Sequence, residues 1–340
     1  MTDTSHSSEG AGPGALTGRV TITCLSPFPE ETVRQLVGDD SGAGELVVRL
    51  VPTPPAPEAV RELVADADLV VGDGRHAHRL GRDTLSAMAQ CRLIQQPAVG
   101  FDVIDHRAAA DLGIPVANAA GYNRDSVADL VVMGILNLIR DGAAGDRRLR
   151  SGGWGPVPEG RELGALTVGI VGLGNVGNAV ATRLRAFGCH LLFTDVIPRS
   201  LPGAESVPLE ALLQRSDVVT IHVPLDRDTR GFIGGRELDT MRPGSILVNA
   251  SRGPVVDEQA LIGRLQSGHL GGAALDVFEQ EPLPPDSPLR EIDNVFLSPH
   301  VGGNTREAKV RALQVVGTNL RRVIAGLEPF NVVNGVSFRR

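Results

Sequence analysis

The stretch that most narrows the possible folds is "LTVGIVGLGNVGNAVATRLRAFG", residues 166 to 188. An apolar run of strand type leads directly into G-x-G-x-x-G, formed by Gly172, Gly174 and Gly177, and the glycines lead directly into a helical pattern. Strand, tight turn and helix in that order are the opening unit of a parallel α/β sheet. Each glycine has a steric task. Gly172 turns the chain, Gly174 lets backbone approach a pyrophosphate, and Gly177 lets helix and strand pack closely. The helix that follows presents unbonded N–H groups to an anion. The next strand, "LLFTD", ends in Asp195, about 20 residues further on, where an acid can bind a ribose 2′-hydroxyl and repels a 2′-phosphate. NAD is therefore expected in preference to NADP, although Arg199, a few residues on, could attract that phosphate.

The rest of the chain continues the same pattern on both sides of this motif. From Arg19 the runs "RVTITCLS", "ETVRQLV", "ELVVRLV", "PEAVRELVADA", "DLVVGDG", "RLIQQPAVG" and "GIPVANA" alternate strand with helix, as in a parallel sheet covered by helices. "NRDSVADLVVMGILNLIR" then supplies polar capping residues and a long apolar helix. Its most apolar window is interrupted by Asp129 and is shorter than the roughly 20 residues needed to cross a bilayer, so a buried helix is expected. A second series runs through "LTVGIVG", "HLLFTD", "SDVVTIHVP", "SILVNAS", "GGAALDVF" and "NVFLSPH", six strand-like runs that predict a complete doubly wound sheet. "NTREAKVRALQVVGTNLRRVIAG" has helical spacing and is expected to be a terminal helix. A chain of 340 residues exceeds what one core organises, so two α/β domains with a cleft between them are expected. Residues 1–17 read as a flexible tail without the basic start or apolar run of a secretory signal.

Composition excludes several partner classes. The net charge of −7 comes without a basic cluster, which argues against nucleic acid and anionic membranes. Lys309 is the only lysine, so a Schiff-base or P-loop lysine is excluded almost everywhere. Cys24, Cys91 and Cys189 are widely spaced and form no CxxC pair; no metal site is expected, and reduced thiols in a cytoplasmic protein are.

A nicotinamide enzyme acting on a carbonyl needs a general acid for the oxygen and a cation for the substrate anion. Open α/β sheets bind ligands at the carboxyl ends of their strands. Arg252 follows "SILVNAS", Glu281 lies just past "AALDVF", and His300 follows "NVFLS". Singly, each has an ordinary explanation: a surface charge, a solvated glutamate, a structural loop histidine. Their joint placement at three strand ends of one sheet favours chemistry, although spacing alone does not bring the side chains together.

Several ordered blocks add a resemblance. "AVGFDVIDHRAAADLGIPVANAAG", "LTVGIVGLGNVG", "MRPGSILVNASRGPVVDEQAL", "GGAALDVFEQEPL" and "LSPHVGGNT" resemble, in order, the signature blocks of the D-isomer-specific 2-hydroxyacid dehydrogenase family, from about residue 45 to 337. The resemblance implies two doubly wound domains: a Rossmann NAD domain at 120–299 and a flavodoxin-like substrate domain formed by 18–119 and 300–340, with His300 on the second crossover of a hinge. It implies that Arg252 binds the carboxylate and carbonyl oxygen of a 2-oxo acid. His300 would give that oxygen a proton, and Glu281 would pair with His300, since a carboxylate beside an imidazole favours its charged form. Asn175, Val176, Asp195, Val223, Ala250, Asp276, Gly302 and Gly303 would line the NAD site beside the three glycines. The backbone at Val99 and Gly100 would hold the substrate carboxylate, and Gly100 suits such close approach.

The departures from the family's pattern lie on the substrate side and at the hinge. Gln96 and Pro97 stand where many members carry small or charged residues, Tyr122 and Asn123 where a proline-containing stretch is commoner, and Asp129 where glutamate is frequent. The relatives also include formate dehydrogenases, which use glutamine at the position of Glu281, phosphite dehydrogenases, which keep all three residues, and NAD-sensing corepressors. An NAD-dependent reductase of 2-oxo acids, of the short form without a regulatory domain, is the leading expectation, and the identity of the 2-oxo acid stays open. The resemblance also implies a homodimer through the long helix after Asn123 and the segment "RRLRSGGWG". Trp154 would either anchor that interface or pack within its own subunit.

Overall fold

The structure is a computed structural model that describes residues 14–38, 42–51, 57–75, 77–155 and 159–338. It divides into two compact units, Met1–Tyr122 with Arg306–Arg340, and Asn123–Thr305.

The first unit is built on five parallel strands: β1 (Arg19–Cys24), β2 (Glu45–Leu50), β3 (Leu69–Val71), β4 (Leu93–Gln95) and β5 (Val116–Ala117). Their order is β2-β1-β3-β4-β5, the flavodoxin-like winding. The central strands are buried on both faces, which is why they read as continuous apolar runs rather than alternating ones. On one face Val70, Ile94 and Val116 pack with Val60, Val64, Leu85 and Ala108. On the other, Ile22, Leu69 and Leu93 pack with Val33 and Val37 and with Val316, Leu320 and Val323 of the terminal helix Arg306–Ile324.

The second unit has seven parallel strands: β6 (Thr167–Val171), β7 (His190–Thr194), β8 (Ala204–Ser206), β9 (Val218–Ile221), β10 (Ile246–Asn249), β11 (Gly272–Leu275) and β12 (Val295–Leu297). The order β12-β11-β10-β9-β6-β7-β8 is the Rossmann winding extended by one strand, and it reverses direction between β6 and β9. Helices Arg124–Ile139 and Asn175–Ala186 cover one face through Val131, Ile135, Val180 and Leu184. Leu212, Leu238, Leu261 and Ile262 cover the other.

Three details differ from the sequence reading. A seventh strand, β8, joins the six expected; "AES" is short, polar and at the sheet edge, so it carries no apolar signal. Along the chain the units divide at 122/123 and 305/306, a few residues from the expected 119/120 and 299/300. Arg311 Nε donates to the Tyr122 carbonyl at 2.7 Å and holds that residue to the first unit, while Asp276 accepts from Val301 and Gly302 and holds His300 and its neighbours to the second. Of the expected tail, residues 1–13 lie outside the described residues. Leu16 is docked: its N–H donates to the Ile324 carbonyl at 2.8 Å. Among the described residues no helix is long and apolar enough to cross a membrane.

Candidate active site

The site is built along one edge of the second sheet. Gly172 follows β6, Asp195 follows β7, Val223 lies just past β9, Ala250 follows β10, Asp276 follows β11, and His300 lies just past β12. These are consecutive strands in the sheet, so the residues form a row at the carboxyl ends, where the reversal between β6 and β9 opens the winding.

At the β6 end the turn has the shape an NAD pyrophosphate requires. Gly172 has φ +90°, and a Cβ there would lie 2.7 Å from the His222 carbonyl oxygen; a Cβ at Gly177 would overlap the Gly172 carbonyl. Nothing lies within 4 Å of a Cβ at Gly174, so the space over the N-terminus of helix Asn175–Ala186 is open to an anion. Asn175 and Val176 begin that helix, and Val176 packs at the edge of the core with Ala250, while Val223 packs on the opposite face. Asp195 accepts from Leu173 N–H at 2.7 Å and from Ile197 N–H at 2.9 Å, which fixes its carboxylate beside the glycine turn. Arg199 Nε lies 4.0 Å from Asp195 Oδ2. These residues fit NAD: an open anion site next to an anchored acid for the ribose. Asp195→Ala is expected to narrow the preference for NADH over NADPH by about ten-fold or more, since it removes a charge-assisted hydrogen bond to one cofactor and a repulsion against the other, leaving Arg199 free to meet a phosphate. The ratio of kcat/KM for the two cofactors measures it, and an unchanged ratio would remove Asp195 from the ribose site.

At the other end of the row His300 Nδ1 and Glu281 Oε2 are 2.6 Å apart. Burial alone would raise the Glu281 carboxyl; the His300 hydrogen bond and charge, the Phe278 N–H and the Arg252 charge outweigh it and hold Glu281 below the ordinary carboxylate range. An ionised carboxylate only accepts, so His300 donates through Nδ1 and its Nε2 is the atom left for other work. His300 itself sits at φ +51°, a left-handed conformation uncommon for a non-glycine residue. Asp276 imposes it. This carboxylate, 2 % exposed, accepts from Ser298 Oγ at 2.6 Å, Val301 N–H at 2.9 Å and Gly302 N–H at 2.8 Å, gripping the loop on both sides of the histidine. Asp276 was expected to line the cofactor, and here its side chain organises the His300 loop. Gly302 packs against it, and Gly303 continues the loop by accepting from Thr305 N–H at 3.1 Å.

Arg252 lies between these two ends, after β10. Its Nη1 donates to the Ser251 carbonyl at 2.8 Å, and its own carbonyl accepts from Asn249 Nδ2 at 2.9 Å. The next residue, Gly253, lies against the backbone of Phe278 and Glu279. Phe278 N–H in turn donates to Glu281 Oε1 at 3.1 Å, so the Arg252 turn and the Glu281 loop are in contact. Sequence reading missed Gly253; only the close approach of two loops distant in the chain reveals it. A second histidine at this edge, His222, is no competitor as proton donor, because burial pushes it down to about 3 and it stays neutral. The thiols of Cys24 and Cys91, pushed up by burial to about 11 and about 12, stay protonated. Among the described residues no group of histidine, cysteine and acidic side chains could hold a metal ion.

In the first unit, Val99 and Gly100 lie in the loop after β4, with Val99 exposed and Gly100 half-buried. Their carbonyls are engaged by Asn118 Nδ2 at 2.7 Å and Gln96 Nε2 at 3.2 Å.

Residues 132–302 match the model of a family described as D-isomer specific 2-hydroxyacid dehydrogenase, NAD binding domain. The chain is 39% identical over 290 residues to a glyoxylate reductase of Korarchaeum cryptofilum, covering 83% of this chain and 87% of that protein. A glyoxylate reductase structure from Paecilomyes thermophila superposes with a TM-score of 0.81 at 27% identity, covering 90% of this chain and 95% of that one. A D-lactate dehydrogenase of Aquifex aeolicus, solved with NAD and lactic acid, gives 0.79 at 27% identity, covering 93% and 98%.

Proposed function

Because the chain belongs to the D-isomer-specific 2-hydroxyacid dehydrogenase family and is an NAD-dependent oxidoreductase, we propose that it reduces a small 2-oxo acid to the D-2-hydroxy acid, with His300 as the proton donor. The observation that carries this reading is the 2.6 Å pair of His300 Nδ1 and Glu281 Oε2, held on the same sheet edge as the glycine turn.

When bound, NADH supplies the hydride to the carbonyl carbon. The protein's own residues do the rest. Gly172, Gly174 and Gly177 admit the pyrophosphate; Asn175 and Val176 lie at the helix N-terminus that faces it, and Asp195 binds the adenosine ribose. Val223, Ala250, Asp276, Gly302 and Gly303 border the remainder of the cofactor. The Arg252 guanidinium binds the substrate's carboxylate and polarises its carbonyl, a planar fork suited to two oxygens. The backbone N–H groups of Val99 and Gly100 hold the carboxylate, which makes 18–122 with the segment from Arg306 the substrate-binding unit. His300 gives its Nε2 proton to the forming alkoxide; in the reverse direction Nε2 removes the hydroxyl proton. Glu281 keeps the imidazole oriented and compensates its charge.

The similarity to glyoxylate reductases points to glyoxylate and other short 2-oxo acids as substrates. We also assign a cytoplasmic homodimer. Trp154 is 92 % exposed, which removes packing within its own subunit, and Met133, exposed on helix Arg124–Ile139, lies with Val132, Leu136 and Phe187 in an open apolar trough. The test is NADH consumption at 340 nm against glyoxylate, hydroxypyruvate, pyruvate and longer 2-oxo acids, with the molar mass measured on the same preparation. Turnover of at least one acid and a mass near twice 35.8 kDa are expected. Tight NADH binding without turnover of any acid would overturn the enzymatic reading, and a 35.8 kDa species the dimer.

A further inference from the structure

The loop after β4 holds more than its two expected residues. Three successive carbonyls in it are tied back: that of Ala98 by Ala119 N–H at 3.1 Å, that of Val99 by Asn118 Nδ2 at 2.7 Å, and that of Gly100 by Gln96 Nε2 at 3.2 Å. A trans peptide is planar, with its N–H antiparallel to the preceding C=O. Each pinned carbonyl therefore aims the following N–H the opposite way, and the three N–H groups so aimed are those of Val99, Gly100 and Phe101. Among the described residues none of these three donates a hydrogen bond. Successive free N–H groups with anchored carbonyls are an anion-binding arrangement.

What anchors the third carbonyl is unusual. Gln96 is fully buried, and its amide nitrogen bridges the Gly100 carbonyl and the Asp73 carbonyl, the latter at 2.9 Å. Gly72 leaves room for the amide oxygen, where a Cβ would overlap it. Asp73, 2 % exposed, is itself locked: its carboxylate accepts from the N–H groups of Arg75, Ala77 and His78 and pairs with His78 Nδ1 at 2.7 Å. Burial works to raise this carboxyl, but the His78 hydrogen bond and the backbone donors outweigh it and keep it ionised below the ordinary range. Burying an ionised carboxylate is costly, and the reaction assigned above makes no direct use of Asp73 or His78.

We propose that Gln96 is a positioning residue of the substrate's anion site: by pinning the Gly100 carbonyl it adds the Phe101 N–H to those of Val99 and Gly100, and the buried Asp73–His78 pair fixes Gln96 in turn. The proposal rests on the reading that this loop holds the substrate's carboxylate. It explains why an amide stands at position 96, since leucine would fill the volume without reaching either carbonyl.

The test compares Gln96→Leu with the wild-type enzyme on the best 2-oxo acid of the panel and on its methyl ester. The variant is expected to raise KM for the acid about ten-fold, the scale of one misplaced hydrogen bond to a charged group. The change in kcat should be several-fold smaller, and KM for the ester and for NADH should stay close to the wild-type values. His78→Gln should shift KM for the acid in the same direction by less. An unchanged KM for the acid in Gln96→Leu, or an equal loss on acid and ester, overturns the positioning role. If the wild-type enzyme does not distinguish acid from ester, the carboxylate reading of the loop fails instead. Should Gln96→Leu not fold, Gln96→Met keeps an unbranched chain without donors and reads the same split.

Discussion

Replacing His300 by alanine is expected to lower turnover of the proposed 2-oxo acid substrate by roughly 10²- to 10⁴-fold, the contribution of a positioned general acid. NADH affinity should be nearly unchanged, because His300 lies at the β12 end of the row while the pyrophosphate turn lies at β6, with three strands between them in the sheet. Fluorescence titration with NADH and single-turnover rates separate the two effects. Normal turnover in the variant would remove His300 from the chemistry. The pair also sets a pH limit. Glu281 has a folded value below its ordinary one, so its stabilising interaction with His300 is fully present above the ordinary carboxylate range and is lost as pH falls through the depressed value. Reduction by the wild-type enzyme should therefore keep this pair intact until pH falls through that depressed value. In Glu281→Gln the neutral amide cannot compensate a positive charge on the imidazole, so the rate of reduction should fall.

The second large effect is expected at a residue that touches neither cofactor nor substrate. Gly253→Ala places a methyl group where the Phe278 carbonyl already lies, with Glu279 N–H only 2.6 Å away. Both neighbours are backbone, so no side chain can turn aside. Overpacking of ordinary cores costs about 1–3 kcal/mol, and a clash with backbone falls at the upper end. Relief requires the Arg252 turn to separate from the Phe278–Glu281 loop, which moves the guanidinium and the carboxylate together. A melting temperature lower by several degrees is expected, with kcat/KM falling by at least ten-fold, since misplacement by about 1 Å costs as much as 10²-fold. Stability and activity both at wild-type values would show that the two loops are not coupled through this contact. Serine, as large at Cβ, should behave the same way.

The parallel sheets were legible because strands buried on both faces are continuous apolar runs, and eleven of the twelve strands stand out as such or as β-branched stretches flanked by turns. The order of strands was implied by the winding that alternating strands and helices adopt. Short β8 left no trace, since three edge residues need no apolar face. The unit boundaries lie a few residues from those expected because side-chain hydrogen bonds, Arg311 to Tyr122 and Asp276 to the Val301–Gly302 backbone, decide to which unit a loop residue adheres. Asp276 shows the same limit at the site. Its position at a strand end was readable, but whether its carboxylate faces a ligand or grips a loop depends on what folds back over it.

By itself the sequence determined the glycine turn, the acid that follows it, and the placement of Arg252, Glu281 and His300 at strand ends, because these follow from local periodicity and from motif spacing within one sheet. Only the tertiary structure decided that Glu281 and His300 meet at 2.6 Å, that Gly253 seats the Arg252 turn on the Phe278–Glu281 loop, and that a buried Asp73–His78 pair stands behind the loop at Gly100. Those contacts join residues whose separation in the chain carries no periodic signal, and they exist only once the sheet has brought its strand ends side by side.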